Sequence, residues 1–182
     1  MLNKEFSLKD FSGDFGYFHV KIDKIFLREL LVRASKCEKP HCNLDFINEI
    51  GAKLTTNYLS NTIYGWTAYD KTIPLDKLVR ITELASEDWK LVESKILFVK
   101  AGQHGGEVSV KFPIKATKIL GSIVGHVLGD GSIDLRYSQL FFSNSDKHLL
   151  NEFATNMELI FGVKPRIWMQ KKPDFGNTKW DK

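Results

Sequence analysis

Asp130 is the residue whose type and setting most suggest chemistry. It stands between Gly129 and Gly131, at the end of an apolar run that begins at Ile119. A carboxylate there could be a hard ligand for a divalent cation, although Gly-Asp-Gly is also an ordinary turn after a helix. An EF-hand loop is excluded because Leu135 stands where that loop requires glycine. A dinucleotide fingerprint is excluded because it needs a third glycine and a following helix.

The run before Asp130 predicts a helix with one face made of glycine. Gly121, Gly125 and Gly129 recur every four residues and therefore line one side of a helix. Glycine costs roughly 1 kcal/mol relative to alanine inside a helix, so three on one face need a compensating contact. Close approach of a second helix provides one, as small residues do between membrane helices. The run is too short to cross a membrane, so we expect a close-packed pair of helices.

Residues 123–131, Ile-Val-Gly-His-Val-Leu-Gly-Asp-Gly, resemble the LAGLIDADG motif of homing endonucleases and related DNA-binding proteins. Leu128 stands at the motif's first Asp, and His126 stands where an apolar or aromatic residue is more usual. In that family two such helices pack side by side, and each final acidic residue binds catalytic divalent metal. The resemblance implies that Asp130 is catalytic and binds Mg²⁺, with the Gly129 backbone carbonyl as a further ligand.

The residues after the motif are similar to the family's αββαββα unit in their order. Strands are predicted at 132–137 and 139–143, then a helix that begins after Asn144-Ser145-Asp146 and ends at Gly162. A third strand, 164–172, carries four basic residues and no acidic one. The chain has no room for the closing helix and contains one motif. We therefore expect the glycine face to meet a homodimer partner or a missing second repeat.

The resemblance also implies that the sheet lies in the major groove of double-stranded DNA. Arginine and glutamine reach base edges, and lysines serve phosphates. The alternative for the third strand is a solvated edge protected by lysine. The expected DNA contacts in this unit are Ser132, Asp134, Arg136, Gln139, Ser143, Lys164, Arg166, Trp168, Gln170, Lys171 and Lys172.

The N-terminal half predicts five short helices. Apolar residues recur at helical spacing in Lys24–Ala34 and Asp45–Lys53. A third helix is expected after Thr55, a fourth opens near Pro74, and a fifth begins at Trp89. Residues 96–100 and 107–112 are then strand-like in composition and flank a glycine-rich turn, which predicts a β-hairpin.

The third of these helices is polar on its outward side. With Gly51 before it and Thr72-Ile73-Pro74-Leu75 after it, the five-helix region resembles a Cro/repressor-type helix-turn-helix domain. The resemblance implies that the third helix enters the major groove and that Asn57, Ser60 and Asn61 contact DNA. A generic helical bundle is the alternative, because acidic and basic residues are nearly balanced here.

Composition sets broader limits. The 182 residues are 43% hydrophobic with a net charge of +4, so a core can form and composition alone does not indicate nucleic acid. Two cysteines and the lack of a predicted signal or membrane segment favour a soluble cytoplasmic protein. Cys37, His41 and Cys42 could ligate zinc only with a fourth ligand such as His19 or His104. A plain polar loop is the simpler interpretation.

Together these patterns predict an α+β protein with a helical helix-turn-helix domain followed by a partial LAGLIDADG domain. The expected divisions are an N-terminal arm (1–20), the helix-turn-helix domain (21–98), a β-hairpin linker (99–116) and the incomplete endonuclease-like domain (117–182). The expected function is sequence-specific binding of double-stranded DNA with Mg²⁺-assisted hydrolysis of phosphodiester bonds. The alternative is a catalytically inactive transcriptional regulator with the same two modules.

Overall fold

The computed structural model of the chain describes residues 4–12, 18–51, 59–67, 69, 71–102, 105–134 and 139–168. Within these ranges the fold is mixed α+β, with seven α-helices and three small antiparallel sheets. The helices are α1 Lys24–Ser35, α2 Leu44–Glu49, α3 Leu59–Thr67, α4 Leu75–Leu84, α5 Trp89–Ser94, α6 Lys118–Asp130 and α7 Lys147–Phe161. The strands are β1 Glu5–Phe6, β2 Phe18–Ile22, β3 Ile73–Pro74, β4 Ile96–Ala101, β5 Ile114–Lys115, β6 Gly131–Asp134 and β7 Gln139–Phe142.

Side-chain caps explain where α1, α2 and α5 begin, whereas α4 follows Pro74 without a side-chain cap. The Asp23 side chain accepts from the Phe26 backbone N–H at 2.8 Å, and Asn43 and Asp88 cap α2 and α5 in the same way. The five helices predicted from periodicity are confirmed. Thr55, the expected cap of the third helix, lies outside the described residues.

The N-terminal core also contains a sheet, which corrects the expectation of a helical region. β2 is the central strand and pairs antiparallel with both β3 and β4. Val20 of β2 and Ile73 of β3 are buried in the same cluster as Leu30 and Leu78 of the helices. β2 and β4 run across the expected boundaries at 20/21 and 98/99. The strands therefore join the N-terminal arm to the helices in one core.

The predicted hairpin between 96–100 and 107–112 is wrong as a full ladder. β4 pairs along its length with β2, and only Val99 and Val108 remain bridged, with N–H···O distances of 2.9 and 2.8 Å. Burial provides the reason, because β2 carries Val20 into the core. Pairing β4 with this buried strand therefore satisfies more backbone groups out of contact with water.

The C-terminal unit follows the predicted helix-strand-strand-helix order. Thr117 caps α6, and Asp146 caps α7 by accepting from the His148 N–H at 2.7 Å. α7 ends at Gly162 in the left-handed conformation, with a φ of 66°.

The third strand is not formed in the part of residues 164–172 that the structure describes. Residues 163–168 have no regular secondary structure, and Pro165 lacks the N–H that a ladder would use. Arg166, Ile167 and Trp168 are exposed, so burial does not order the segment either. The described part of the unit is therefore αββα.

No helix in the described ranges is long and apolar enough to cross a lipid bilayer. The most apolar candidate from the sequence, α6, has 13 residues. Such a helix is about 20 Å long, against about 30 Å of hydrocarbon in a membrane.

Candidate metal-ligand position and nucleic-acid face

Asp130 lies where three elements of the C-terminal unit meet. It is the last residue of α6, directly before β6, and its backbone carbonyl accepts from the Ser143 N–H at 3.3 Å. Its side-chain Oδ2 accepts from the Asn144 amide Nδ2 at 2.9 Å. Asp130 itself is exposed. The carboxylate is thus hydrogen-bonded to Asn144 while it remains accessible to solvent.

Asn144 is the residue that sequence reasoning missed at this position. The prediction treated it only as part of the cap of α7. In the fold, the Asp146 N–H donates to Asn144 Oδ1 at 2.8 Å, which turns the amide NH₂ toward Asp130. The pairing of Gly131 with Phe142 in the adjacent strands brings Asp130 and Asn144 together. The signal that could have found Asn144 is therefore the register of the predicted strand pair.

One face of α6 packs against α7 and β7. The His126 ring lies 5.0 Å from the Phe142 ring and 6.1 Å from the Phe153 ring, centroid to centroid. Ser122 Oγ bonds Glu152 Oε1 of α7 at 3.3 Å, and Ile123 is buried on the same side. His126 takes the place of an aromatic residue in this cluster. The packed face fixes the direction in which α6 delivers Asp130.

The glycine face of α6 is uncovered by the described part of the chain. Gly121, Gly125 and Gly129 are exposed, and a Cβ added at any of them meets no atom within 4 Å. Beside them, Val124 is 48% and Leu128 81% exposed. No contact in these ranges offsets the cost of three helical glycines.

Asp130 and Gly129 offer oxygen donors of the kind that a hard cation takes. An exposed carboxylate and the neighbouring Gly129 carbonyl are oxygen donors, which suit Mg²⁺ with water and phosphate in its other positions. Among the described residues, no group of three or more His, Cys, Asp or Glu side chains could hold a metal ion. Cys37, His41 and Cys42 lie in these ranges and do not form such a group.

His19, one possible fourth zinc ligand, lies elsewhere and has a different environment. It sits on β2 opposite Pro74 and Lys100, with its Nδ1 3.4 Å from the Thr72 hydroxyl. Burial lowers the pKa of the imidazole, Lys100 lowers it further, and Asp76 acts in the opposite direction. His104 lies outside the described residues.

The outward face of the small sheet collects several of the predicted DNA contacts. Cross-strand pairs place Ser132 opposite Phe141 and Asp134 opposite Gln139. Successive strand residues alternate between faces, so these four lie opposite the face on which Phe142 packs against His126. Ser143 is exposed at the end of β7. The polar face therefore adjoins Asp130.

Phe141 is a second residue that sequence reasoning missed. It was expected only as part of a strand, yet it is 51% exposed at the centre of this polar face. Its neighbour Phe142 lies in the aromatic cluster, so the two phenylalanines have different surroundings. A run of two aromatic residues in a strand could have indicated that one of them faces outward.

The remaining predicted contacts are not brought to this face by described residues. Lys164 and Arg166 are exposed after α7, and Lys164 Nζ lies 3.1 Å from Glu158 Oε1. Trp168 is also exposed. Ser60 and Asn61 belong to α3, but their side chains fall outside the description. The positions wholly outside the described residues are Asn57, Arg136, Gln170, Lys171 and Lys172.

Comparisons of the chain with protein-family models, with curated proteins and with solved structures returned no match.

Proposed function

We propose that the chain is a LAGLIDADG-type DNA-binding protein in which Asp130 contributes one half of a two-carboxylate metal site for cleavage of double-stranded DNA. The observation that carries the proposal is the placement of Asp130. Its exposed carboxylate is held by Asn144 at the end of a helix whose glycine face is open. The motif resemblance of residues 123–131 gives this geometry its chemical meaning.

A second α6 helix completes the site in this proposal. Gly121, Gly125 and Gly129 would let two backbones approach closely, and burial of Val124 and Leu128 would drive the association. The two helices would then bring two Asp130 carboxylates side by side. One chain supplies one such carboxylate, so the active species is a homodimer or a chain with a second repeat.

Asp130 and the Gly129 carbonyl are the residues that would hold Mg²⁺. A bound Mg²⁺ supplies an activated water and charge stabilisation at the leaving oxygen. Asn144 keeps the Asp130 carboxylate in one orientation by donating to Oδ2. Its own amide is held by the Asp146 N–H, so the carboxylate needs little reorganisation when it binds the cation.

The outward face of β6 and β7 is the proposed DNA surface. Ser132 and Gln139 offer hydrogen-bonding groups for base edges, and the exposed Phe141 ring offers apolar contact to a thymine methyl. Exposed Lys164 and Arg166 would contact phosphates. The third helix of a helix-turn-helix unit, α3, would add a second contact surface.

The decisive experiment uses the full chain and duplex sequences selected by binding from a randomised library. With Mg²⁺, we expect double-strand cleavage that Asp130→Asn abolishes while affinity for the selected duplex is retained. The matched control is Asp45→Asn, which makes the same change at an exposed aspartate on α2. This variant should cleave DNA as the wild type does. Cleavage that survives Asp130→Asn would refute the catalytic role.

A second candidate function is that of a non-cutting DNA-binding regulator. It keeps the exposed β6–β7 face as the DNA surface and assigns no metal to Asp130. It predicts equal affinity for the selected duplex in Mg²⁺ and in EDTA, with no cleavage by the wild-type chain. Steep loss of affinity with salt is expected for both functions.

A further inference from the structure

The segment Lys4–Leu8, which we name the N-terminal clasp, contacts two regions that lie far from it in sequence. One end docks on α5 of the N-terminal region, and the other end pairs with β5, shortly before α6. These five residues connect the start of the helix that carries Asp130 to the N-terminal core, in addition to the Val99–Val108 bridge and the packing of Val110 and Phe112 on that core. The motif and the helix-turn-helix resemblance leave this connection unexplained.

The docked end is anchored by a buried carboxylate. Glu93 is 8% exposed, and its Oε1 accepts from the Ser7 hydroxyl at 2.7 Å and from the Leu8 N–H at 2.5 Å. The Trp89 indole N–H donates to the same Ser7 hydroxyl at 2.8 Å. The Leu8 side chain is 2% exposed in the core. Charge-assisted hydrogen bonds to a buried acceptor are among the stronger interactions available to a short segment.

The other end is a two-residue ladder. Glu5 pairs with Lys115 and Phe6 with Ile114, and the Ala116 N–H donates to the Lys4 carbonyl at 2.8 Å. Thr117, the cap of α6, follows directly. Isolated two-stranded pairings are marginal in water, so a ladder of two residues needs an external anchor to persist.

From these contacts we infer that the clasp holds the start of α6 against the N-terminal core, with Glu93 as the positioning residue. The Glu93 carboxylate fixes Ser7 and Leu8, and these hold Glu5 and Phe6 where β5 can pair with them. If the proposed function is right, the clasp also sets the spacing between the α3 surface and the β6–β7 surface on DNA. That consequence rests on the proposed function, whereas the inference and its test do not involve DNA.

Residue-resolved amide hydrogen exchange of the full chain tests the inference. In Glu93→Ala, the Ala116 amide should exchange at least about tenfold faster than in the wild type, together with the Leu8 amide. The Ala116 amide bonds Lys4 and does not touch Glu93, so its change reports transmission through the clasp. Glu93→Gln keeps an acceptor oxygen and should restore most of the protection.

Glu83→Ala is the matched control, because Glu83 is an exposed glutamate that pairs with Lys9 beside the clasp at 3.3 Å. It should leave Ala116 protected. If Glu93→Ala also deprotects the amides of α1 and α4, Ser7→Ala replaces it, because that change keeps Glu93 and removes the hydroxyl that bonds Glu93, Trp89 and the Lys9 N–H. Unchanged exchange at Ala116, in whichever variant keeps its core, would overturn the inference.

Discussion

The N-terminal region and the α6–α7 unit differ sharply in how much apolar surface they bury. In the described residues, every buried hydrophobic side chain lies before residue 100 except Ile123 and Phe153. The exposed large hydrophobic residues of the α6–α7 unit include Val124, Leu128, Ile133, Leu140, Phe141 and Leu159. The first region closes its own core, whereas the second leaves many of its large hydrophobic side chains exposed in the described residues. Substitutions in the first region should therefore affect the free energy of unfolding more than substitutions on the exposed surface of the second.

The largest expected effect is a loss of stability in the N-terminal core. Leu78 on α4 is fully buried, and Leu78→Ala should lower the free energy of unfolding by about 2–5 kcal/mol through lost transfer energy and a cavity. Urea unfolding followed by circular dichroism measures it. Leu128→Ala on the exposed face of α6 is the comparison and should change monomer stability by less than about 0.5 kcal/mol. Equal losses would erase the contrast between the regions.

The next effect concerns the hydrogen bond that the Asn144 amide donates to the Asp130 carboxylate. Asn144→Ala removes the amide that donates to the carboxylate, so affinity for Mg²⁺ or cleavage rate should fall about 10–100-fold, as for other outer partners of metal ligands. Calorimetric Mg²⁺ titration and cleavage kinetics check this. Asn48→Ala, an exposed asparagine on α2, should have no effect on either measurement. An Asn144 variant with wild-type cation affinity would contradict the positioning role.

A smaller effect of opposite sign is expected on the glycine face. Gly125→Ala should stabilise the monomer by up to about 1 kcal/mol, because alanine favours the helix and its Cβ meets no atom within 4 Å. The same methyl should weaken self-association by keeping two α6 backbones apart. Unfolding of dilute protein and sedimentation at several concentrations separate the two effects. Stronger association of the variant would count against a contact through the glycines.

The smallest effect is a pH dependence that belongs to the N-terminal region. The pKa of His19 is lowered in the folded chain, mainly by burial, so the unfolded chain takes up the proton first. The stability associated with neutral His19 is complete above the unfolded pKa of about 6.5 and is lost as the pH falls through the lower folded pKa. Urea titrations at several pH values should show this loss. The free energy of unfolding of His19→Gln should decrease less over that pH range than that of the wild type.

Much of the local structure follows from the sequence alone. Apolar spacing predicts α1 and α6 to within one or two residues, and the Asn144-Ser145-Asp146 cap together with Gly162 does the same for α7. These signals are local, because a helix bonds residues four apart and a cap acts on its own first turn. The position of Asp130 at the end of a helix with glycines on one face can likewise be predicted from neighbouring residues.

Other features depend on which distant segments bury each other, and only the tertiary structure decides them. β4 pairs with β2 and keeps a single bridge to the expected hairpin partner, while residues 163–168 form no strand. The contact of Asn144 with Asp130 and the docking of Ser7 on Glu93 join residues 14 and 86 positions apart. A local pattern cannot specify such contacts, because strand pairing and buried hydrogen bonds are chosen by competition among all segments for burial and for satisfied polar groups.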